Sequence, residues 1–126
     1  MKKLSVIATG LFVLHTTEEA LFSFWQTDFV TLAVSRVLRI DPMTMYWLVQ
    51  SVLYLFLVAL LISPNRHSAH LLYSILGLIL VLEFEHGFAA LHAGGYVPGV
   101  YTGIALGVLG IYFWLTYIKL IYQNKP

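Results

Sequence analysis

Four long apolar stretches follow one another with little between them, and no other feature limits the fold as strongly. They run from about Leu4 to Trp25, Met43 to Ile62, Ala69 to His92 and Val97 to Tyr122. Each comes close to the roughly 20 mostly apolar residues that a helix needs to cross a hydrocarbon core of about 30 Å, if a few polar interruptions are admitted. With 60% hydrophobic and 10% charged residues, the chain holds less than half the charge of an ordinary soluble domain, at roughly 25%. The expected fold is all-α: a four-helix transmembrane bundle formed by a single domain over residues 1–126.

The connections refine this picture. Residues 26–42 place Phe29, Leu32, Ala33 and Val37 on one helical face with Arg36 and Arg39 nearby, the pattern of a short amphipathic helix over about 27–40 lying at the interface. Pro64-Asn65 marks a tight turn, and Gly94-Gly95 with Pro98 marks another, whose proline can open the last helix. An even number of spans puts both termini on one side. Lys2, Lys3, Arg66, Lys119 and Lys125 then oppose Arg36 and Arg39, so the positive-inside rule places both termini in the cytoplasm and the chain in the cytoplasmic membrane. Met1-Lys2-Lys3 ahead of an apolar stretch also resembles the start of a signal peptide, but no small-residue cleavage site follows Leu14.

A net charge of +1 without a basic run beyond Lys2-Lys3 excludes nucleic acid as a partner. The absence of cysteine excludes disulfides, thiolate ligands and cysteine nucleophiles. Membrane lipids are the expected surroundings.

Four of the six carboxylates, Glu18, Glu19, Glu83 and Glu85, and three of the five histidines, His15, His86 and His92, fall inside the first and third spans. Each ionisable group at bilayer depth costs at least about 2.5–3.5 kcal/mol on insertion scales, so these side chains must satisfy one another or bind something. At 100° per residue His15, Glu18 and Glu19 share one helical face, and Glu83 and His86 are i, i+3 neighbours on another. Glu85 and His92 share a face rotated away from Glu83 and His86, which makes them supporting residues or neighbours of another helix. Counted from a common side, Glu18, Glu19 and Glu83 each lie about fifteen residues in, roughly 22 Å deep, so the two clusters reach one level.

Carboxylates with imidazoles form the ligand set for zinc, iron or manganese, and Glu-x-x-His on a bundle helix is the unit of carboxylate di-metal sites. Glu83-Phe84-Glu85-His86 contains it, and His15-Thr16-Thr17-Glu18 is the same pair reversed. The second and fourth spans offer no carboxylate or histidine, which favours a mononuclear or compact dinuclear centre over the four-helix di-iron pattern. The candidate ligands for a divalent ion, zinc or iron, are therefore His15, Glu18, Glu19, Glu83, His86 and His92. Glu19 or Glu85 would act as general base toward a water. Gln50 and Thr102 are placed to hydrogen-bond the carboxylates.

The string His15-Thr16-Thr17-Glu18-Glu19, with His86 followed by Tyr96-Val97-Pro98-Gly99, resembles the HXXEE-motif family of small bacterial and archaeal integral membrane proteins. The resemblance covers the four-span length. It implies His15, Glu18, Glu19, His86, Tyr96, Pro98 and Gly99 as motif positions, does not extend to Glu83, Glu85 or His92, and brings no known activity.

Three readings follow from these residues. The first is a metal-dependent membrane enzyme, hydrolase or oxidoreductase, acting on an apolar or lipid-like substrate. The second is a metal-free proton relay, as an isomerase or small transporter, although few polar residues extend toward the cytoplasmic half. The third is an accessory subunit of a membrane complex. Gly99, Gly103, Gly107 and Gly110 form a small-residue stripe on the last span, suited to close packing within the chain or to a homodimer through Gly99, Gly103 and Gly107. Tyr46 reads as one of the aromatic residues anchoring the spans at the interface.

Overall fold

The computed structural model describes residues 1–62 and 66–123, the side chains of 66–69 excepted. The Pro64-Asn65 turn, the Arg66 and His67 side chains and Lys125 lie outside the described residues. Among the described residues every regular element is helical: α1 (Lys2–Leu21), a single 3₁₀ turn (Phe24–Gln26), α2 (Phe29–Leu38), α3 (Pro42–Ile62), α4 (Arg66–Leu82), α5 (Glu85–Ala93) and α6 (Val100–Gln123). Three helical stretches, Pro42–Ile62, His70–Ala93 and Val100–Gln123, are long and apolar enough to cross a membrane. α1 has the length, but it carries Lys2, Lys3, Glu18 and Glu19.

Three boundaries differ from the sequence expectation. α6 starts at Val100 rather than Val97, so Pro98 lies in the turn before the helix instead of opening it. α1 stops at Leu21 rather than near Trp25, because Ser23 takes up a left-handed conformation (φ 55°). Such a conformation costs a non-glycine residue roughly 1–2 kcal/mol. Three aromatic contacts around it work the other way: Phe22 meets Tyr96 at 5.2 Å, Phe24 meets His86 at 5.1 Å and Trp25 meets Tyr46 at 5.5 Å. The third span is interrupted at Glu83-Phe84. There Phe84, His86 and Gly87 donate their backbone N–H three residues back, to Val81, Glu83 and Phe84, instead of four. This 3₁₀ tightening brings i and i+3 side chains nearly into line, and so aligns Glu83 with His86.

The amphipathic segment forms the helix its pattern implies. The Asp28 carboxylate caps α2 by accepting from Thr31 N–H at 2.6 Å, and Asp41 caps α3 through Thr44 at 3.0 Å, with Pro42 as the first helical residue.

α6 packs chiefly on α4, then on α1 and α5; α1 also lies on α3, and α2 covers α3. α3 and α4 meet over little of their length, which leaves a cleft between them. Ala8, Phe12, Leu57, Leu60, Leu76, Leu80, Leu106 and Phe113 form the buried core. The glycine stripe faces α4 and α5. A Cβ on Gly103 would meet the Glu83 carbonyl at 2.9 Å, one on Gly107 would meet the Phe84 ring at 2.7 Å, and one on Gly110 would meet the Leu80 backbone at 2.9 Å. His70 is half-buried, its ring bonded to the Tyr117 hydroxyl at 3.1 Å.

Candidate metal centre

The centre forms where α1 ends, α3 and α6 begin and the third span breaks. Tyr46 and Gln50 lie in the first turns of α3, and Thr102 in the first turn of α6. The cluster is therefore within about two helical turns, roughly 11 Å, of one end of the bundle.

His15, Glu19 and His86 are each about 3% exposed, so their polar atoms depend on protein partners. His15 Nε2 lies 3.0 Å from Glu83 Oε2 and 3.4 Å from Glu19 Oε1, and His86 Nε2 lies 3.6 Å from each of the same two oxygens. Each imidazole also has its Nδ1 engaged. His86 Nδ1 is 3.0 Å from the Pro98 carbonyl, an oxygen that can only accept, so Nδ1 carries the proton. His15 Nδ1 is 2.9 Å from Thr102 Oγ1, whose own proton goes to Glu18 Oε2 at 2.6 Å. A hydroxyl donating to a carboxylate accepts through its lone pair, so His15 Nδ1 is again the donor. In the neutral rings both Nε2 lone pairs then face carboxylate oxygens. Acceptors converging in this way, with outer hydrogen bonds fixing each tautomer, are the arrangement found around metal-ligating histidines.

His15, Glu83 and His86 each offer a ligand atom within 4.8 Å of the others and could hold a metal ion. A tetrahedral ion with bonds of about 2.0–2.1 Å separates its ligand atoms by roughly 3.3 Å, and the distances from the imidazoles to Glu83, 3.0 and 3.6 Å, lie on either side of that value. Glu19 is the fourth neighbour. Its Oε2 accepts from the Tyr46 hydroxyl at 3.0 Å and Gln50 Nε2 at 3.2 Å, which leaves Oε1 directed at the imidazoles. Gln50 is oriented in turn by Thr16, whose hydroxyl donates to Gln50 Oε1 at 3.2 Å.

Glu18 points elsewhere. Besides Thr102 Oγ1 it accepts from Thr102 N–H at 3.2 Å and from the Tyr96 hydroxyl at 2.8 Å, so its carboxylate sits on the first turn of α6, where the helix dipole favours negative charge. The Tyr96 hydroxyl, through loss of solvent first and the adjoining carboxylate next, is pushed up to about 12 and remains a donor. Gly99 precedes α6 with φ +85°, and a Cβ there would lie 2.8 Å from His15 Cε1 and 3.0 Å from His86 Cε1 and Nδ1. The residue that would normally cap α6 with its side chain must therefore lack one, and Glu18 supplies the cap from α1.

Glu85 is exposed and lines the cleft beside the cluster, as does Asp28, a residue without any motif to mark it. His92 is exposed near the end of α5. Tyr46 is a buried donor to Glu19 rather than a surface anchor. Its i, i+4 spacing with Gln50 was the available signal that both share the inner face of α3.

The family model described as a protein of unknown function with an HXXEE motif matches residues 6–115. No curated protein and no solved structure matches the chain.

Proposed function

Because the chain belongs to the HXXEE-motif family, whose function is unknown, we propose from its own geometry that it is a four-span membrane protein with a divalent-metal site serving an enzyme that acts on an apolar, lipid-like substrate. α1 completes the bundle. Its Val6, Ile7, Val13 and Leu14 are exposed and apolar, as lipid contact requires, while its His15 and Glu19 face inward. Lys2, Lys3 and Lys119 then mark the cytoplasmic side and Arg36 and Arg39 the opposite one, with both termini cytoplasmic.

One observation carries the metal reading: both histidines have Nδ1 tied to an outer acceptor and Nε2 turned toward the same pair of carboxylates. His15, His86 and Glu83 would bind the ion, a two-histidine, one-carboxylate set that suits hydrolytic zinc or non-haem iron. Such an ion supplies Lewis acidity toward a substrate oxygen or a water. Glu19, held through Oε2 by Tyr46 and Gln50, is placed to accept a proton at Oε1 and return it to a leaving group.

Chelator-free purification followed by elemental analysis tests this. About one equivalent of zinc or iron per chain is expected, lost in His15→Asn, His86→Asn and Glu83→Gln and kept in Glu19→Gln. Metal that survives both histidine substitutions, or none after reconstitution with zinc, ferrous and manganous ions, overturns it.

One distance favours a second reading. His15 Nε2 to Glu83 Oε2, at 3.0 Å, is hydrogen-bond length, as an imidazolium–carboxylate pair would give. A metal-free protein would move the function to proton transfer through the same four side chains.

A further inference from the structure

The cleft between α3 and α4, about 630 Å³ in volume, is within the range of small-molecule sites, and its lining narrows what it can take. Leu53 and Phe56 on α3 and Ile75 and Ile79 on α4 give it apolar walls suited to an acyl or isoprenoid chain, and Val34 of α2 closes over it. At the end where the cluster lies the lining changes character. Asp28 and Glu85 join Glu19 and Glu83, and among the described residues lining the cleft none is Lys or Arg. The rings of Phe24 and Tyr46 line the same end, 6.5 Å apart.

We propose that this cleft binds a single-chain amphiphile with a cationic ammonium head, its chain between α3 and α4 and its head among Phe24, Tyr46, Asp28 and Glu85. Two independent features select that head. His15 and His86 face Glu19 and Glu83, whereas Asp28 and Glu85 meet no basic side chain among the described residues lining the cleft, a surplus of carboxylate that repels a carboxylate or phosphate head and attracts an ammonium. The Phe24 and Tyr46 rings at that end would add a preference of the same sign wherever a face meets the head, since ring quadrupoles attract ammonium groups and do so more strongly away from water. Asp28 gives one oxygen to Thr31 N–H as the cap of α2. That bond ties the acidic end of the cleft to the helix covering it. The proposal names the substrate class of the function above and rests on that reading only for what happens to the bound head, because the binding itself needs no ion.

The test is equilibrium binding of radiolabelled hexadecylamine to the purified chain in a non-ionic detergent at pH 7, with unlabelled hexadecanol and hexadecanoate as competitors. One amine per chain is expected, with the alcohol about tenfold weaker and the acid weaker still, the size that one partly screened ion pair with an aromatic contact gives. Asp28→Asn combined with Glu85→Gln should bring amine and alcohol within about threefold, as asparagine still caps α2. Ile79→Trp should block all three ligands. Hexadecanoate competing as well as the alcohol, an amine preference that survives the double substitution, or no saturable binding each overturn the proposal. Metal content in the same preparations separates the two ideas. Amine selectivity without metal sinks only the metal reading, and stoichiometric metal without amine selectivity sinks only this one.

Discussion

Gly99 is where the two halves of the site meet, since its missing side chain lets both histidine rings reach the start of α6. An alanine there would be strained twice, by a φ of +85° and by contacts of 2.8 to 3.0 Å with His15 and His86. A non-glycine residue in such a conformation costs roughly 1–3 kcal/mol before any clash is counted. Gly10 is the internal control, with nothing within 4 Å of its added Cβ, and alanine there should gain a little from helix propensity. Thermal unfolding in detergent should show Gly99→Ala clearly less stable than the parent and Gly10→Ala equal or slightly more so. Equal melting of Gly99→Ala and the parent would mean that the rings do not pack against this turn. The same residue explains why Glu18 and Glu19, neighbours in sequence, have different work. One caps α6 and orients His15 through Thr102, and the other faces the imidazoles.

At the scale of elements, the break in the third span is held by a different helix. Gly103 faces the Glu83 carbonyl at 2.9 Å and Gly107 faces the Phe84 ring at 2.7 Å, so α6 approaches closely where α4 gives way to α5. A backbone carbonyl cannot step aside, whereas the Phe84 side chain can move as a whole into the groove it lines with Phe88 and Leu91. Gly103→Ala should therefore lose about 1–3 kcal/mol, the usual cost of overpacking, and displace Glu83, with metal content falling alongside the melting temperature. Gly107→Ala should cost less and keep its metal. Reversal of that order would place the constraint at the ring instead. This part of the fold was not legible in residues 82–86, which contain no glycine or proline to mark an interruption; its cause sits about twenty residues away on α6. By contrast, the helical period alone placed His15 with Glu19 and Glu83 with His86, and equal depth brought the pairs together. What period cannot show is which neighbour a side chain meets, and so Glu18 read as a ligand candidate, Tyr46 as an anchor, and Asp28 went unremarked.

For the whole molecule, the site lies at the end of the bundle away from the chain termini. Lys2 and Lys3 start α1 and Lys119 lies near the end of α6, whereas Arg36 lies in the last turn of α2 and Arg39 directly follows that helix, in the connection that joins α1 to α3. Charge bias of this kind sets orientation through short loops, so the cluster and the open side of the α3–α4 cleft should lie in the outer half of the bilayer. The chain has no cysteine, which makes single introduced thiols unambiguous reporters. In intact cells a membrane-impermeant maleimide should label Arg36→Cys, and should label Lys3→Cys and Lys119→Cys only after the membrane is opened. The reverse pattern would invert the topology and put the cleft against the inner leaflet. Labelling of Lys3→Cys and Lys119→Cys from opposite sides would be more damaging, because an odd number of crossings would take α1 out of the membrane. Its His15 and Glu19 could not then meet Glu83 and His86 at a shared depth, and the metal reading would fail with the four-span fold.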